Sequence, residues 1–159
     1  MGILSWLARV TSGKDAGEAS FAPDEEVFHG LNMRAAIDTH IAWKDRLAGQ
    51  LGGNADMLEV AEVGSDDRCS LGAWLYGPCK MHCGSLPEYA DLVRDHANFH
   101  LVAGNILMNI RHGEREEALG MLNGGDFRRA SDMVQLSLVR LYARSKVDAS
   151  FWSNDNTPG

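Results

Sequence analysis

Apolar residues recur at steps of three and four along most of the chain, the spacing of one buried helical face, and no stretch alternates with the period of two that a strand needs. Pro23 followed by Asp24, Glu25 and Glu26 predicts a helix start, with fixed φ and negative charge where the helix dipole favours them. The stripe that follows, Met33, Ile37, Trp43, Leu47 and Leu51, carries His40 and ends at Gly52-Gly53. After a connector over 54–64, Ser65 with Asp66 and Asp67 reads as an N-cap with first-turn acids. The short helix it opens places Cys69, Gly72, Ala73 and Tyr76 on one face and stops at Gly77-Pro78. Gly72 lets another helix approach closely, and residues 78–84 read as a loop. Ser85 and Glu88 have capping-box spacing around Pro87, opening a third helix that Gly113 closes. Its inward face holds Tyr89, Leu92, Val93, His96, His100, Ala103, Leu107 and Ile110. A short amphipathic piece follows over 114–123, carried by Leu119 and Leu122. Asp126 then caps a last helix bearing Phe127, Ala130, Val134, Leu138 and Leu141. The sum is an all-α fold, an antiparallel four-helix bundle with short additional helical segments.

Three regions follow from the same pattern. Residues 1–22 form a flexible or amphipathic N-terminal segment, in which Ile3, Leu4, Trp6, Leu7 and Val10 can share one face. Residues 23–146 form the helical domain, and 147–159 a disordered tail. A length of 159 residues suits one domain with tails. The 15 Lys and Arg against 22 Asp and Glu leave a net charge of −7, which repels phosphate backbones, so nucleic acid is not an expected partner. No run reaches the ~20 apolar residues of a membrane span. No cationic leader precedes the first apolar stretch, so the expected compartment is the cytoplasm. Three cysteines, Cys69, Cys79 and Cys83, are an odd set, which points to thiol or metal chemistry rather than a disulfide framework.

His96 and His100 stand at i and i+4, side by side on one helical face, where two imidazoles can grip one ion. On its own such a pair is the ordinary mark of hydrogen-bonded core histidines. His40 and Cys69 change the weighing, because each also falls on the inward face of its own helix. Burying three imidazoles and a thiol without partners costs several kcal/mol, and a shared cation removes that cost.

The same residues carry a resemblance. His-x-x-Trp at His40-Trp43, Cys-x-Leu-Gly-x-Trp from Cys69 to Trp74, and His-x3-His at His96-His100 occur in order, with 25 and 21 residues between the motifs. This arrangement resembles the chemoreceptor zinc-binding (CZB) domain, over roughly residues 24–145. The resemblance implies a bacterial cytoplasmic helical domain that binds Zn²⁺ through three His and one Cys, here His40, Cys69, His96 and His100. It also implies a homodimer and a role in chemotaxis or cyclic-di-GMP signalling. A chain this short has no room for a fused chemoreceptor or diguanylate cyclase, so either would be a partner acting in trans. The family includes zinc-responsive and oxidant-responsive members, so the signal is either metal occupancy or the oxidation state of Cys69.

The ligand chemistry agrees with zinc. A Cys/His set suits tetrahedral Zn²⁺, whereas Mg²⁺ and Ca²⁺ want oxygen. Four protein ligands leave no place for a reactive water, so an enzyme is not expected. Binding needs an ionised Cys69 and three neutral His, and affinity falls as pH drops toward 6.5, the ordinary His pKa. The alternatives are a structural or zinc-buffering site, a hemerythrin-type non-haem iron protein and a metal-free helical adaptor. The iron protein would need bridging carboxylates, and Asp91 and Asp95 flank His96 on other faces.

Other features read as ordinary structure. Cys79, His82 and Cys83 lie in the predicted loop as reduced residues, with the option that one thiol resolves an oxidised Cys69. Gly124-Gly125-Asp126-Phe127 resembles the diguanylate cyclase signature but lacks an acidic residue and a surrounding βαβ pattern, so it reads as a helix break. His29 and His112 read as surface residues, and Trp43 and Trp74 as core packing.

Overall fold

The computed structural model describes residues 2–15, 17, 21–53 and 56–154, so the last residues of the predicted tail, 155–159, lie outside the described residues. Among the described residues the fold is all-α apart from a hairpin of two two-residue strands. Three long helices make its frame, α2 (Met33–Gly52), α6 (Pro87–Arg111) and α8 (Asp126–Asn154). Shorter helices are α1 (Ile3–Thr11), α3 (Val60–Val63), α4 (Ser70–Trp74), α5 (Lys80–Cys83) and α7 (Arg115–Asn123). The most extensive packing is between α6 and α8. Leu92, Phe99, Ala103, Ile106 and Leu107 of α6 and Phe127, Ala130, Val134, Leu138 and Leu141 of α8 are buried in the common core. The anticipated fourth rod around Cys69 is only five residues of α-helix, so three long helices rather than four carry the frame.

Several boundaries differ from the sequence reading for identifiable reasons. The helix predicted to follow Pro23 is delayed to Met33. Between them lie a 3-10 turn, Pro23–Glu25, and an antiparallel hairpin of β1 (Val27–Phe28) and β2 (Leu31–Asn32). His29 and Gly30 at its tip both have positive φ, 46° and 86°, the backbone of a two-residue type I′ turn. Phe28 and Leu31 are buried, and the Asn32 Oδ1 accepts the Ala35 N–H at 2.8 Å, making Asn32 the cap of α2. Gly53, left-handed at φ 71°, ends α2 as predicted.

The predicted loop 78–84 is helical. After α4 the chain widens into a π-helical turn, Leu75–Cys79, that accommodates Pro78, and Gly77 leaves helical backbone there. The Tyr89 hydroxyl donates to the Leu75 carbonyl of this turn at 3.1 Å, and the chain runs on into α5. The capping box does not form, since α6 starts at Pro87 with Leu86 at the cap position and no side-chain cap. Gly113 follows α6 at φ 79°, as predicted. Near the N-terminus, the Glu25 carboxylate accepts the N–H groups of Ile3 (2.7 Å) and Ala22 (2.8 Å), and Ile3 and Trp6 are buried where α1 packs against α8. Helix α8 continues to Asn154, eight residues beyond the predicted boundary at 146.

Candidate metal centre

Three elements bring His40, Cys69, His96 and His100 together. His40 projects from the buried stripe of α2, and His96 and His100 from α6. Cys69 is the N-cap of α4, not a face residue of a longer helix, which corrects the sequence reading. Each of the four offers one ligand atom, and these atoms all lie within 4.8 Å of one another. The three imidazoles are buried, and Cys69 is half-buried.

Backbone carbonyls set two of the three histidine tautomers. His40 Nδ1 lies 2.7 Å from the Ala36 carbonyl and His100 Nδ1 lies 2.7 Å from the Val63 carbonyl. A carbonyl only accepts, so each Nδ1 carries the hydrogen and each Nε2 keeps a bare lone pair for an ion. His96 Nε2 lies 3.2 Å from both the Cys69 sulfur and His100 Nε2. His40 Nε2 is buried with no hydrogen-bond partner, and so is His96 Nδ1.

The sulfur is placed by backbone as well. In the cap position it accepts the Gly72 N–H at 3.3 Å. Gly72 is needed for a reason other than the approach of another helix. A Cβ there would stand 1.8 Å from the Asp66 carbonyl oxygen, so the preceding turn of the same chain folds directly over it. Gly72→Ala is therefore expected to cost about 3 kcal/mol or more, as overpacking against rigid backbone does. Urea unfolding of wild type and variant measures it, and a loss below about 0.5 kcal/mol would contradict the packing argument.

Burial acts on all four groups in the direction of neutrality. It lowers the His40 pKa to about 4, partly opposed by the Ala36 carbonyl, with His100 adding to the lowering. It lowers His96 to about 3, aided by His100 and His40. His100 is lowered too, against the Val63 carbonyl and Asp66. Burial raises the Cys69 thiol, while the N–H groups of Gly72 and Leu71 oppose the rise. A cluster of neutral imidazoles around a thiol, in which His40 Nε2 and His96 Nδ1 are buried without a partner, is costly as it stands, and a cation bound at the centre relieves part of that cost. A tetrahedral Zn²⁺ site with these ligand types has edges of about 3.3–3.6 Å, close to the 3.2 Å separations present. The donor set fits zinc.

Among the described residues no carboxylate belongs to the group. Asp95, placed by sequence on another face of α6, is nonetheless buried. Its carboxylate is held by the Ser137 hydroxyl of α8 and by Arg94 at 3.0 Å, away from the cluster. Cys79 and Cys83 are buried free thiols in the core, and burial raises the pKa of both, that of Cys79 to about 12, so both are poor nucleophiles. His29 is exposed and stacks on His82, with ring centroids 4.2 Å apart and planes 4° off parallel. Trp43 and Trp74 are buried, and the Trp74 indole N–H donates to the His29 carbonyl at 3.0 Å. Two contributors had no signal in the side-chain pattern, the Val63 carbonyl and the Gly72 amide. Both are backbone groups of short segments whose path only the fold sets.

In comparison with known families, residues 40–107 match the family model of the chemoreceptor zinc-binding domain. The matched segment runs from the first of the four residues to about two helical turns beyond the last, a narrower span than the 24–145 of the sequence resemblance. Neither the curated proteins nor the solved structures gave a match.

Proposed function

We propose, from the match of residues 40–107 to the chemoreceptor zinc-binding domain and from the cluster described above, a zinc-binding sensory or regulatory module rather than an enzyme. The observation that carries this reading is the convergence of three imidazole nitrogens and one sulfur within 4.8 Å of one another in a largely buried setting. When bound, zinc would bind four protein ligands, His40, Cys69, His96 and His100, with no position left for substrate or water. Its role is then to tie α2, α6 and the Cys69 turn together, so occupancy changes how firmly these elements are held.

The second reading, oxidation of Cys69 as the signal, is favoured by one specific observation. Cys69 lines an open cavity of about 440 Å³, shared with Trp43, Glu62, Arg68 and His100, and is the least buried of the four candidate ligands, so solvent-borne reagents reach it most readily. A reducing compartment such as the cytoplasm would keep the three thiols free. The output is proposed to pass in trans to a chemotaxis or cyclic-di-GMP component. No helix among the described residues is long and apolar enough to cross a membrane. The homodimer implied by the resemblance would cover apolar surface such as Leu101, Met108 and Met133.

Native mass spectrometry with elemental analysis tests the metal. The expected result is one zinc per chain for the wild type, and for Cys69→Ser an affinity at least 100-fold lower by chelator competition, because the thiolate is the only anionic ligand. Equal zinc retention in the two proteins would remove Cys69 from the ligand set. Two irons per chain would replace the reading with the hemerythrin-type one.

A further inference from the structure

The segment 56–64, read from sequence as a plain connector, is tied across the ends of two long helices. On its first half, the Gln50 side chain of α2 donates to the Asp56 carbonyl at 2.8 Å and accepts the Leu58 N–H at 3.2 Å. Arg111 of α6 donates to the Leu58 carbonyl and to Gln50 Oε1. On its second half, α3 lies on α6 one turn beyond His100. The contact is so close that a Cβ at Gly104 would stand 3.2 Å from the Gly64 Cα and 3.6 Å from the Gly64 nitrogen. Held in this way, α3 delivers the Val63 carbonyl to within 2.7 Å of His100 Nδ1. His40 draws its carbonyl from Ala36 of its own helix, whereas His100 depends on a separate segment being docked.

Resting on the zinc reading above, we infer that Gln50, Gly104 and Arg111 are positioning residues for the metal centre. They dock the strap 56–64 so that its carbonyl fixes the tautomer and ring orientation of His100. None of the three reaches the ion. Outer partners of a metal-bound imidazole hold it in the ligating form, and losing them typically weakens binding 10- to 100-fold. The arrangement also makes the coupling run both ways, since whatever locks His100 in place favours the docked strap.

The test is zinc competition titration on the full chain, with ¹⁵N-histidine NMR as the second readout. Gly104→Val, whose branched side chain must push α3 off α6, is expected to bind zinc 10- to 100-fold more weakly, and Gly104→Ala less so. The surface pair Gln50→Ala with Arg111→Ala removes the other ties without touching the core and is expected to lose about 3- to 10-fold. Arg111→Lys, which keeps a donor for the Leu58 carbonyl, is expected to bind within twofold of wild type. In the impaired variants the His100 Nδ1–H signal exchanges faster, while the His40 signal stays as in wild type. Affinities within twofold of wild type in both Gly104→Val and the surface pair overturn the inference while leaving the zinc reading intact. A wild type that binds no zinc overturns both. If Gly104→Val loses its helical circular dichroism, the surface pair and Arg111→Lys decide alone. Loss of thermal stability with unchanged affinity and unchanged His100 exchange would mark the strap as merely structural and overturn the proposal.

Discussion

Zinc added in excess to the metal-free chain is expected to raise the thermal midpoint by about 10 °C. A ligand that binds only the folded state stabilises it by about 4 kcal/mol when its concentration is 1,000 times Kd. A domain of this size gains about 2–4 °C for each of those kcal/mol. The four ligand atoms come from α2, α6 and the Cys69 turn, which are distant in sequence, so the unfolded chain cannot assemble them and binding free energy becomes folding free energy. The local state of the metal-free site adds to the effect, because His40 Nε2 is buried with no partner. Differential scanning fluorimetry with and without zinc, against Cys69→Ser as control, measures the shift. A midpoint that does not move in the wild type at saturating zinc would mean that the unfolded chain binds the ion as tightly as the folded one, and so that this assembled cluster does not hold it.

The metal-free chain is expected to be acid-sensitive well above the carboxylate range. His40 and His96 have folded pKa values of about 4 and about 3, against 6.5 when unfolded. Both are depressed, so in the unfolded chain they take up protons first. The stability contributed by keeping them neutral is fully present above pH 6.5 and is lost as pH falls from there toward 4 and 3. Each group loses about 2 kcal/mol between pH 7 and pH 5, together a large part of the marginal stability of a domain. Thermal melts of zinc-free protein are therefore expected to drop by about 10 °C over that interval. His96→Leu should have a clearly shallower slope, since it removes one of the depressed imidazoles. A flat profile between pH 7 and 5 would show that these imidazoles are hydrated in solution. Zinc competes with the same protons, so the loaded protein should resist acid until the metal is released.

Much of the frame was readable from spacing. Trp43 and Leu47 of α2, the inward face of α6 from Tyr89 to Leu107, and Phe127 to Leu141 of α8 are buried where the three- and four-residue steps placed them. The glycines after α2 and α6 end those helices because only a residue without a Cβ takes positive φ cheaply. Reading failed where short-range chemistry had competing solutions. Pro23 and its acids satisfy a helix start and equally a 3-10 turn, and the burial of Phe28 and Leu31 selected the turn and hairpin. Ser65 and Cys69 can each cap a short helix. The chain used the sulfur, with Asp66 folded over Gly72. Pro78 signalled a stop, yet the π-helical turn absorbs it and the chain continues helically into α5.

The pairing of His96 with His100 was determined by sequence alone, because a helical period of 3.6 places residues four apart on one face whatever surrounds them. The choice of a soft, nitrogen-and-sulfur donor set was determined in the same way, since ligand type belongs to the residue. The tertiary structure decided which nitrogen of each ring faces the centre, that a distant carbonyl at Val63 holds His100, and that the Cys69 sulfur meets His96 at 3.2 Å. Those outcomes depend on how segments far apart in the chain dock, and backbone carbonyls and amides, identical at nearly every position, leave no trace of that in the pattern of side chains.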